Sequence, residues 1–279
     1  MRNSEKEKQE SLTWDRGTHY ATYNEILGYY QVRSCLENAR GTSLLDLPCG
    51  DGTLTAMFAE HFRWVVGVDA SGAHLAKARQ KLPGVEFHES LIEELSLKEK
   101  FGTVVMLNIL EHVVDPLVTL RKAASFLEKN GVLIVQVPNA HAVNRKIAVL
   151  MGTLSSCEEL SPFDLHVAGH RRSYTIAALI DDAQRAGLRV EKTGGVFYKS
   201  LSTPQIYVDT NHLPASQQLQ HGRGKCDRAA MGHAGFYDQI RTRAENDLLD
   251  GDDILGQLDD RPPIPREVVR VAVLYERGI

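Results

Sequence analysis

Short apolar runs alternate along this chain with longer segments in which apolar residues recur every three or four positions. The first pattern predicts buried β-strands and the second predicts amphipathic α-helices. Because parallel strands need long crossover connections, this alternation predicts a mostly parallel sheet with helices on both faces. The predicted strands are Leu44–Leu47, Trp64–Val68, Val85–His88, Thr103–Asn108, Val132–Val137, Leu188–Val190 and Val268–Leu274.

The helices between these strands have recognisable ends. Asp115 and Pro116 begin one helix, since an N-cap acid and a first-turn proline are favoured there. Asn130–Gly131 is its predicted stop before the fifth strand. Thr175 is the predicted cap of a later helix. The predicted helices are Leu12–Arg40, Thr53–His61, Ala73–Leu82, Asp115–Glu128 and Tyr174–Ala186.

Composition and charge restrict the class of protein. The 279 residues are 43% hydrophobic, which is enough for one sizeable core with or without an appended cap. A net charge of −4 gives no basic field for nucleic acid, and no apolar run approaches the ~20 residues that span a bilayer. The four cysteines form no CxxC pair, which indicates free thiols. We therefore expect a cytoplasmic protein with neither nucleic-acid nor membrane partners, and a flexible charged tail over residues 1–11.

The segment 44–55, LLDLPCGDGTLT, places a predicted strand against a turn of small residues. Pro48 and Cys49 with Gly50 and Gly52 favour a sharp turn, and glycine lets a ligand approach the backbone closely. A strand, a glycine turn and a helix form the first unit of a nucleotide-type site, although such turns also occur in plain loops.

The second predicted strand strengthens this interpretation, because it is followed at once by Asp69. Rossmann-like folds place an acid about 20 residues after the turn, where it binds the hydroxyls of a ribose. The dinucleotide pattern GxGxxG is not met, because Pro48 and Thr53 occupy its first and third glycine positions. A ligand with a ribose but no phosphate fits better, and S-adenosylmethionine is such a ligand.

Four segments, in this order, resemble the class I S-adenosylmethionine-dependent methyltransferases of small molecules: Asp46–Gly52, Val66–Ser71, Val104–Val113 and Gly131–Asn139. The resemblance implies a Rossmann-like doubly wound sheet whose last strand is antiparallel and lies between the fifth and sixth strands. It implies an N-terminal helical lid (12–40), a core (41–199 and 266–279) and an insertion that caps the acceptor pocket (200–265). The alternative for the insertion is a disordered loop or a loop that forms a dimer. The sequence therefore does not decide between a monomer and a homodimer.

The resemblance also assigns residues to the cofactor. Asp46 would orient the turn and reach the cofactor's amino group, Asp69 would bind the ribose, and Asn108 would lie beside the methionine portion. The family's usual acid after the third strand is replaced by Leu91, so adenine would meet Ser90 and backbone amides instead. The implied cofactor-binding residues are Asp46, Pro48, Cys49, Gly50, Gly52, Asp69, Ala70, Ser90, Leu91 and Asn108.

On the acceptor side, the implied substrate-binding residues are Tyr20, Tyr23, Glu111 and His112. The alternative for each tyrosine is packing of its helix against the core. Some relatives hold a divalent ion near the position of Glu111 and His112, but a matching site needs a second acid at Asn108. We therefore expect no metal.

Three histidines are candidate catalytic residues, in the order His170, His166 and His141. The first two lie in a segment that resembles the His-x-Arg-x-Tyr-Thr segment of small-molecule methyltransferases. A neutral histidine can take a proton from a hydroxyl or an ammonium group near pH 7. The alternative for each is a structural histidine bonded to a loop carbonyl.

The sequence thus predicts a methyltransferase that converts S-adenosylmethionine to S-adenosylhomocysteine and methylates O, N or C of a small molecule. A specialised metabolite or a sugar is the preferred acceptor. The alternatives are a non-catalytic cofactor-binding regulatory subunit and a non-methylating enzyme on the same fold.

Overall fold

Helices and strands alternate in nearly the predicted order in the computed structural model, which describes residues 21–196 and 270–275, with side chains over 26–196. The helices are α1 (Ala21–Asn38), α2 (Thr53–Ala59), α3 (Gly72–Lys81), α4 (Pro116–Ala124), α5 (Val143–Leu150) and α6 (Ile176–Arg185). The strands are β1 (Ser43–Asp46), β2 (Trp64–Asp69), β3 (Glu86–Glu89), β4 (Phe101–Leu107), β5 (Leu127–Val137), β6 (Arg189–Gly195) and β7 (Arg270–Tyr275). A 3₁₀ turn spans Ile92–Glu94 and a π-helical turn spans Asp164–Ala168.

The strands form one seven-stranded sheet in the order β3-β2-β1-β4-β5-β7-β6. All pairs among β1 to β5 are parallel, so their carboxyl ends meet at one edge. The order reverses between β1 and β4, and open α/β sheets bind ligands outside the carboxyl ends at such a point. The predicted doubly wound Rossmann-like sheet is confirmed.

The last strand departs from the expected direction. β7 lies between β5 and β6, as the resemblance implies, but it pairs parallel with both of them. The predicted antiparallel last strand is therefore wrong. Parallel neighbours cannot be joined by a tight hairpin, and the connection over residues 196–269 is long enough for a crossover to the other end of the sheet.

The fourth helix ends earlier than predicted. The Ser125 N–H donates to the carbonyl of Arg121, which closes α4, and the buried Phe126 then turns the chain into the core. The Phe101 N–H donates to the Phe126 carbonyl, so β5 begins at once beside β4. Asn130–Gly131 consequently lies within β5 and is not the helix stop. The predicted caps Asp115 and Thr175 are confirmed, since each side chain accepts a backbone N–H of its helix.

Two apolar layers cover the two faces of the sheet. On one face α1 packs Val32 and Cys35 against strand residues that include Leu44 and Ile134. On the other face β4 and β5 pack against α4 and α6, with Leu120 and Leu179 fully buried. Each face of the sheet therefore has its own apolar layer.

The described residues belong to a compact unit whose limits are Met1–Ile206 and Glu267–Ile279. The predicted tail (1–11), most of the insertion (200–265) and the start of the predicted lid lie outside the described residues. These domain boundaries stay predictions. No helix within 21–196 has both the length and the apolar character needed to cross a membrane.

Candidate active site

The glycine turn after β1 is fastened to the carboxylate at the end of β2. Asp69 Oδ2 accepts the Gly50 N–H at 3.0 Å, and Oδ1 accepts the Ser71 N–H at 2.8 Å. The Cys49 N–H donates to the carbonyl of Val68 at 2.8 Å. Two stretches that the sequence places about 20 residues apart thus form one surface, with Asp69 mostly buried at its centre.

Asp46 connects the strand before this turn to the helix after it. It is buried at the end of β1, and its Oδ2 accepts the Thr55 hydroxyl at 2.8 Å, which ties the strand to α2. Burial raises the pKa of the neighbouring Cys49 thiol far above its ordinary value, and the Asp46 charge raises it further. Cys49 therefore remains a neutral thiol that fills space in the turn.

The two glycines of the turn have different surroundings. Gly52 has φ +78°, and a Cβ there would come within 3.0 Å of Ala78 in α3, so close helix packing requires glycine. Gly50 has φ +54°, and a Cβ there would meet no protein atom within 4 Å. The backbone at Gly50 therefore borders open space that a ligand can fill.

Further polar groups surround Asp69. After Ala70, the Ser71 side chain caps α3 by accepting the N–H of His74. His74 Nδ1 lies 3.6 Å from Asp69 Oδ1, and interaction with this carboxylate raises the pKa of His74. The carbonyl of Asp69 accepts the Ser90 N–H at 3.0 Å, which brings the end of β3 alongside.

The predicted adenine contacts are Ser90 and Leu91. The Ser90 hydroxyl donates to the carbonyl of Leu91 at 2.8 Å, so its one proton is engaged while its oxygen can still accept. Ser90 and Leu91 are both partly exposed. Ser90 lies beside the end of β2, and the adenine contacts stay a prediction.

Asn108 follows β4 in an unusual conformation. Its φ is +53°, which non-glycine residues seldom adopt, and its N–H donates to the carbonyl of Gln136 at 2.8 Å. Backbone outliers of this kind concentrate at functional sites. This one turns the chain sharply at the sheet edge where β4 neighbours β1.

Glu111, His112 and His170 form a cluster near the ends of β4 and β5, which we call the Glu–His–His cluster. Glu111 Oε1 lies 3.7 Å from His112 Nε2, and the two imidazole rings meet edge to face at 4.9 Å between centroids. One potential ligand atom from each residue lies within 4.8 Å of the others, so the cluster could hold a cation. Glu111 is buried, while both histidines are partly exposed.

Two arginines that follow His170 join this cluster to the loop after β4. The Arg171 N–H donates to the carbonyl of Glu111 at 2.8 Å, and its Nε donates to that of His112. Arg172 Nη1 donates to the carbonyls of Leu110 and Val113, each at 2.6 Å. Neither arginine is among the residues predicted for the site, although both follow His170 directly in the sequence.

The other two candidate histidines lie in different surroundings. His141 is half exposed, and its Nε2 lies 2.6 Å from Oε1 of Glu158. His166 is exposed on the π-helical turn. Of the three predicted catalytic histidines, the structure brings only His170 into the Glu–His–His cluster. Tyr20 and the side chain of Tyr23 lie outside the described residues.

Comparison with known proteins identifies the family. Residues 23–193 match the family model described as a methyltransferase domain. The chain belongs to this methyltransferase family. The match confirms the predicted family and its cofactor, S-adenosylmethionine, and the turn fits that cofactor because it offers an ordered acid and open space at Gly50.

Curated relatives of this methyltransferase domain include O-methyltransferases. The ubiquinone biosynthesis O-methyltransferase of Marinobacter nauticus is 28% identical over 222 residues, which are 73% of this chain and 89% of that protein. The protein of the same name from Bradyrhizobium diazoefficiens is 27% identical, over 49% of this chain and 61% of that protein. The trans-aconitate 2-methyltransferase of an Enterobacter species is 28% identical, over 64% and 70%.

The chain spans only 47–61% of the length of the first curated relatives that it matches. Among solved structures, a putative methyltransferase from Bacillus halodurans is 21% identical with a TM-score of 0.47, and covers 58% of this chain and 70% of its own. DesVI from Streptomyces venezuelae is 26% identical with a TM-score of 0.40, over 44% of this chain and 58% of its own.

Proposed function

We propose that this protein transfers the methyl group of S-adenosylmethionine to a hydroxyl oxygen of a small molecule. The observation that carries the proposal is the location of two polar groupings on one sheet edge. Asp69 anchors the glycine turn, and the Glu–His–His cluster follows β4 and β5 at the same carboxyl edge.

The cofactor half of the proposal rests on Asp69. Each carboxylate oxygen accepts one backbone N–H, and each has a second lone pair. The two remaining lone pairs suit the two hydroxyls of a ribose. Asp46, Pro48, Cys49, Gly52 and Ala70 would shape this side of the site, with the open space at Gly50 admitting the methionine portion.

The remaining cofactor contacts follow from neighbouring strand ends. The Ser90 oxygen can accept a hydrogen bond from the exocyclic amine of adenine, while Leu91 covers the ring. The left-handed Asn108 supports a close approach of the methionine portion to the end of β4. Neither contact requires an acid after β3, which agrees with the presence of Leu91 where the family usually has an acid.

The chemical half of the proposal assigns the acceptor's proton to His170. When bound, S-adenosylmethionine supplies a methyl group on a positively charged sulfur, which leaves as a neutral thioether. The protein then has to align the acceptor, exclude water and remove one proton. The hydroxyl O–H bond breaks as its proton moves to the neutral imidazole of His170, and the oxygen forms the new bond to carbon.

Glu111 and His112 are proposed to orient the acceptor beside His170. Glu111 is buried, and the arginine bonds to backbone carbonyls fix the loop that carries it. A rigid loop keeps an acceptor in line with the methyl group, which is the main requirement for displacement. Tyr20 and Tyr23 stay predicted contributors on the acceptor side.

Oxygen is the proposed acceptor atom because the curated relatives include ubiquinone biosynthesis O-methyltransferases. A hydroxyl also has a proton that must leave, and the neutral imidazole of His170 can accept it. The preference for a specialised metabolite or a sugar stays a prediction. Because the name of those relatives refers to ubiquinone biosynthesis, phenols are tested alongside these acceptors.

The experiment is an acceptor screen with methyl-labelled S-adenosylmethionine. The panel contains phenols and catechols, sugars, amino sugars, and carboxylic acids, and each product is located by mass spectrometry. We expect label on oxygen, and a loss of about 10²-fold in turnover for His170→Ala. Tight cofactor binding without transfer to any class would favour the regulatory-subunit alternative. Transfer to nitrogen or carbon would contradict the hydroxyl assignment.

A further inference from the structure

The side chain that faces His170 from the π-helical turn is Asp164. Asp164 Oδ1 lies 3.6 Å from Nδ1 of His170, and the His170 N–H donates to the carbonyl of Asp164 at 2.7 Å. Asp164 therefore contacts His170 through both its backbone and its side chain. Both residues are mostly buried, with side-chain exposures of 13% and 15%.

The local fold explains how residues six positions apart come together. The π-helical turn begins at Asp164 and is ended by Gly169, whose φ of +74° reverses the chain. The N–H groups of Gly169 and His170 then both donate to the carbonyl of Asp164. Single π-helical turns occur frequently at functional sites, where they redirect a side chain.

The second carboxylate oxygen of Asp164 is held by other groups. Oδ2 accepts Arg145 Nη1 at 3.0 Å, and the N–H and hydroxyl of Ser161 at 2.9 and 2.8 Å. Three donors fix one oxygen, so the plane of the carboxylate is set and Oδ1 is directed at the imidazole. Arg145 is itself anchored, because its Nε donates to the carbonyl of Cys157 at 2.6 Å.

Asp164 also keeps its negative charge. Burial alone would raise its pKa, but the bonds from Ser161 and Arg145 outweigh burial and hold the pKa below its ordinary value. The carboxylate therefore faces His170 as an anion at neutral pH. Among the described residues, the ionisable groups near His170 also include His112 and, through His112, Glu111.

We propose that Asp164 is the positioning residue of His170: it holds the neutral imidazole with its proton on Nδ1, so that the lone pair of Nε2 faces away from Asp164 and accepts the acceptor's proton. This inference rests on the proposed function of His170. A carboxylate beside one ring nitrogen favours the tautomer with the proton on that nitrogen, and it also stabilises the imidazolium formed by proton transfer. Asp164 keeps its charge throughout, and the proton later leaves Nε2 for solvent.

The first test is a ¹⁵N NMR measurement of the His170 tautomer in the complex with S-adenosylhomocysteine, well above the histidine titration range. The His170→Ala variant assigns the signal. We expect mainly the Nδ1–H tautomer in the wild type, and a shift towards Nε2–H in Asp164→Asn. A wild-type imidazole with its proton on Nε2 would overturn the proposal, and this result does not depend on an Asp164 variant.

The second test compares kinetics, with the acceptor found in the screen. Asp164→Asn should lower kcat by about tenfold or more while the acceptor KM stays within about twofold. Asp164→Glu should recover part of the loss. The matched control is Asp181→Asn, because Asp181 is exposed on α6 and pairs with Arg185. S-adenosylhomocysteine affinity, measured by calorimetry, should be unchanged in all of them.

The outcomes separate this inference from the proposed function. If His170→Ala retains wild-type turnover, the proposed role of His170 as base is wrong. If His170→Ala loses turnover while Asp164→Asn keeps both kcat and the wild-type tautomer, His170 acts without Asp164 and the inference is wrong. Equal losses in kcat and cofactor affinity for Asp164→Asn would indicate a merely structural role, which also overturns it.

Discussion

Replacing Asp69 by asparagine tests the cofactor site with the smallest change in shape. The carboxylate accepts the N–H groups of Gly50 and Ser71, one on each oxygen. A carboxamide has one accepting oxygen, and its NH₂ group would face a second N–H donor. Either Gly50 or Ser71 then lacks its acceptor, and at least one ribose hydroxyl loses a charged acceptor.

The expected magnitude follows from these bonds. A hydrogen bond to a charged group contributes about 1.5–3 kcal/mol. Loss of one such bond to the ribose corresponds to about 10- to 150-fold weaker binding, since about 1.4 kcal/mol is a factor of ten. Loss of the second bond, and disturbance of the turn at Gly50, would add to this. We therefore expect at least a tenfold increase in Kd for Asp69→Asn.

The assay is calorimetric titration of S-adenosylhomocysteine into wild type and variant at one pH and ionic strength. Asp51→Asn is the matched control. It lies in the same turn, but its carboxylate accepts Lys81 Nζ at 2.5 Å and the Thr53 N–H. Its affinity should stay within about threefold of wild type. Equal Kd values for wild type and Asp69→Asn would refute the ribose assignment and the reasoning from the second strand.

Three further predictions concern metal, acid stability and backbone conformation. Turnover should survive exhaustive dialysis against EDTA; a loss that Mg²⁺ restores would show that the Glu–His–His cluster holds an ion. Because the folded pKa of Asp164 is depressed, its stabilisation is fully present above its ordinary pKa of 3.8 and is lost as the pH falls from there through the lower folded pKa. Urea unfolding should therefore show Asp164→Asn destabilised by about 1.5–3 kcal/mol at pH 7 and by less at pH 3, whereas an equal loss at both values would contradict the ionised pair. Gly169→Ala forces a side chain into φ +74° and should cost about 1–2 kcal/mol in the same assay; an unchanged unfolding midpoint would contradict the reversed turn.

The strand-end residues of the site could be predicted because each follows an apolar run. Asp46, Asp69 and Asn108 end or follow buried strands, and parallel strands bring their carboxyl ends to one edge. The caps Asp115 and Thr175 could also be predicted, since capping depends on the adjacent backbone alone. These features are local in the sequence or follow directly from the parallel sheet.

Other features depend on backbone conformation or tertiary packing that the sequence pattern does not indicate. The approach of Asp164 to His170 needs a π-helical turn and a left-handed Gly169, which no spacing rule indicates. The early start of β5 follows from burial of Phe126 beside Phe101, not from the Asn130–Gly131 pair. β7 pairs parallel with both β5 and β6, whereas its apolar sequence indicates a strand without indicating its direction.

The most direct test of the account is a crystal structure of the full chain with S-adenosylhomocysteine. We expect both ribose hydroxyls within hydrogen-bond distance of Asp69, the homocysteine portion over Gly50, and its sulfur directed towards the Glu–His–His cluster. A cofactor bound with its ribose away from Asp69, or with its sulfur directed away from His170, would contradict the account.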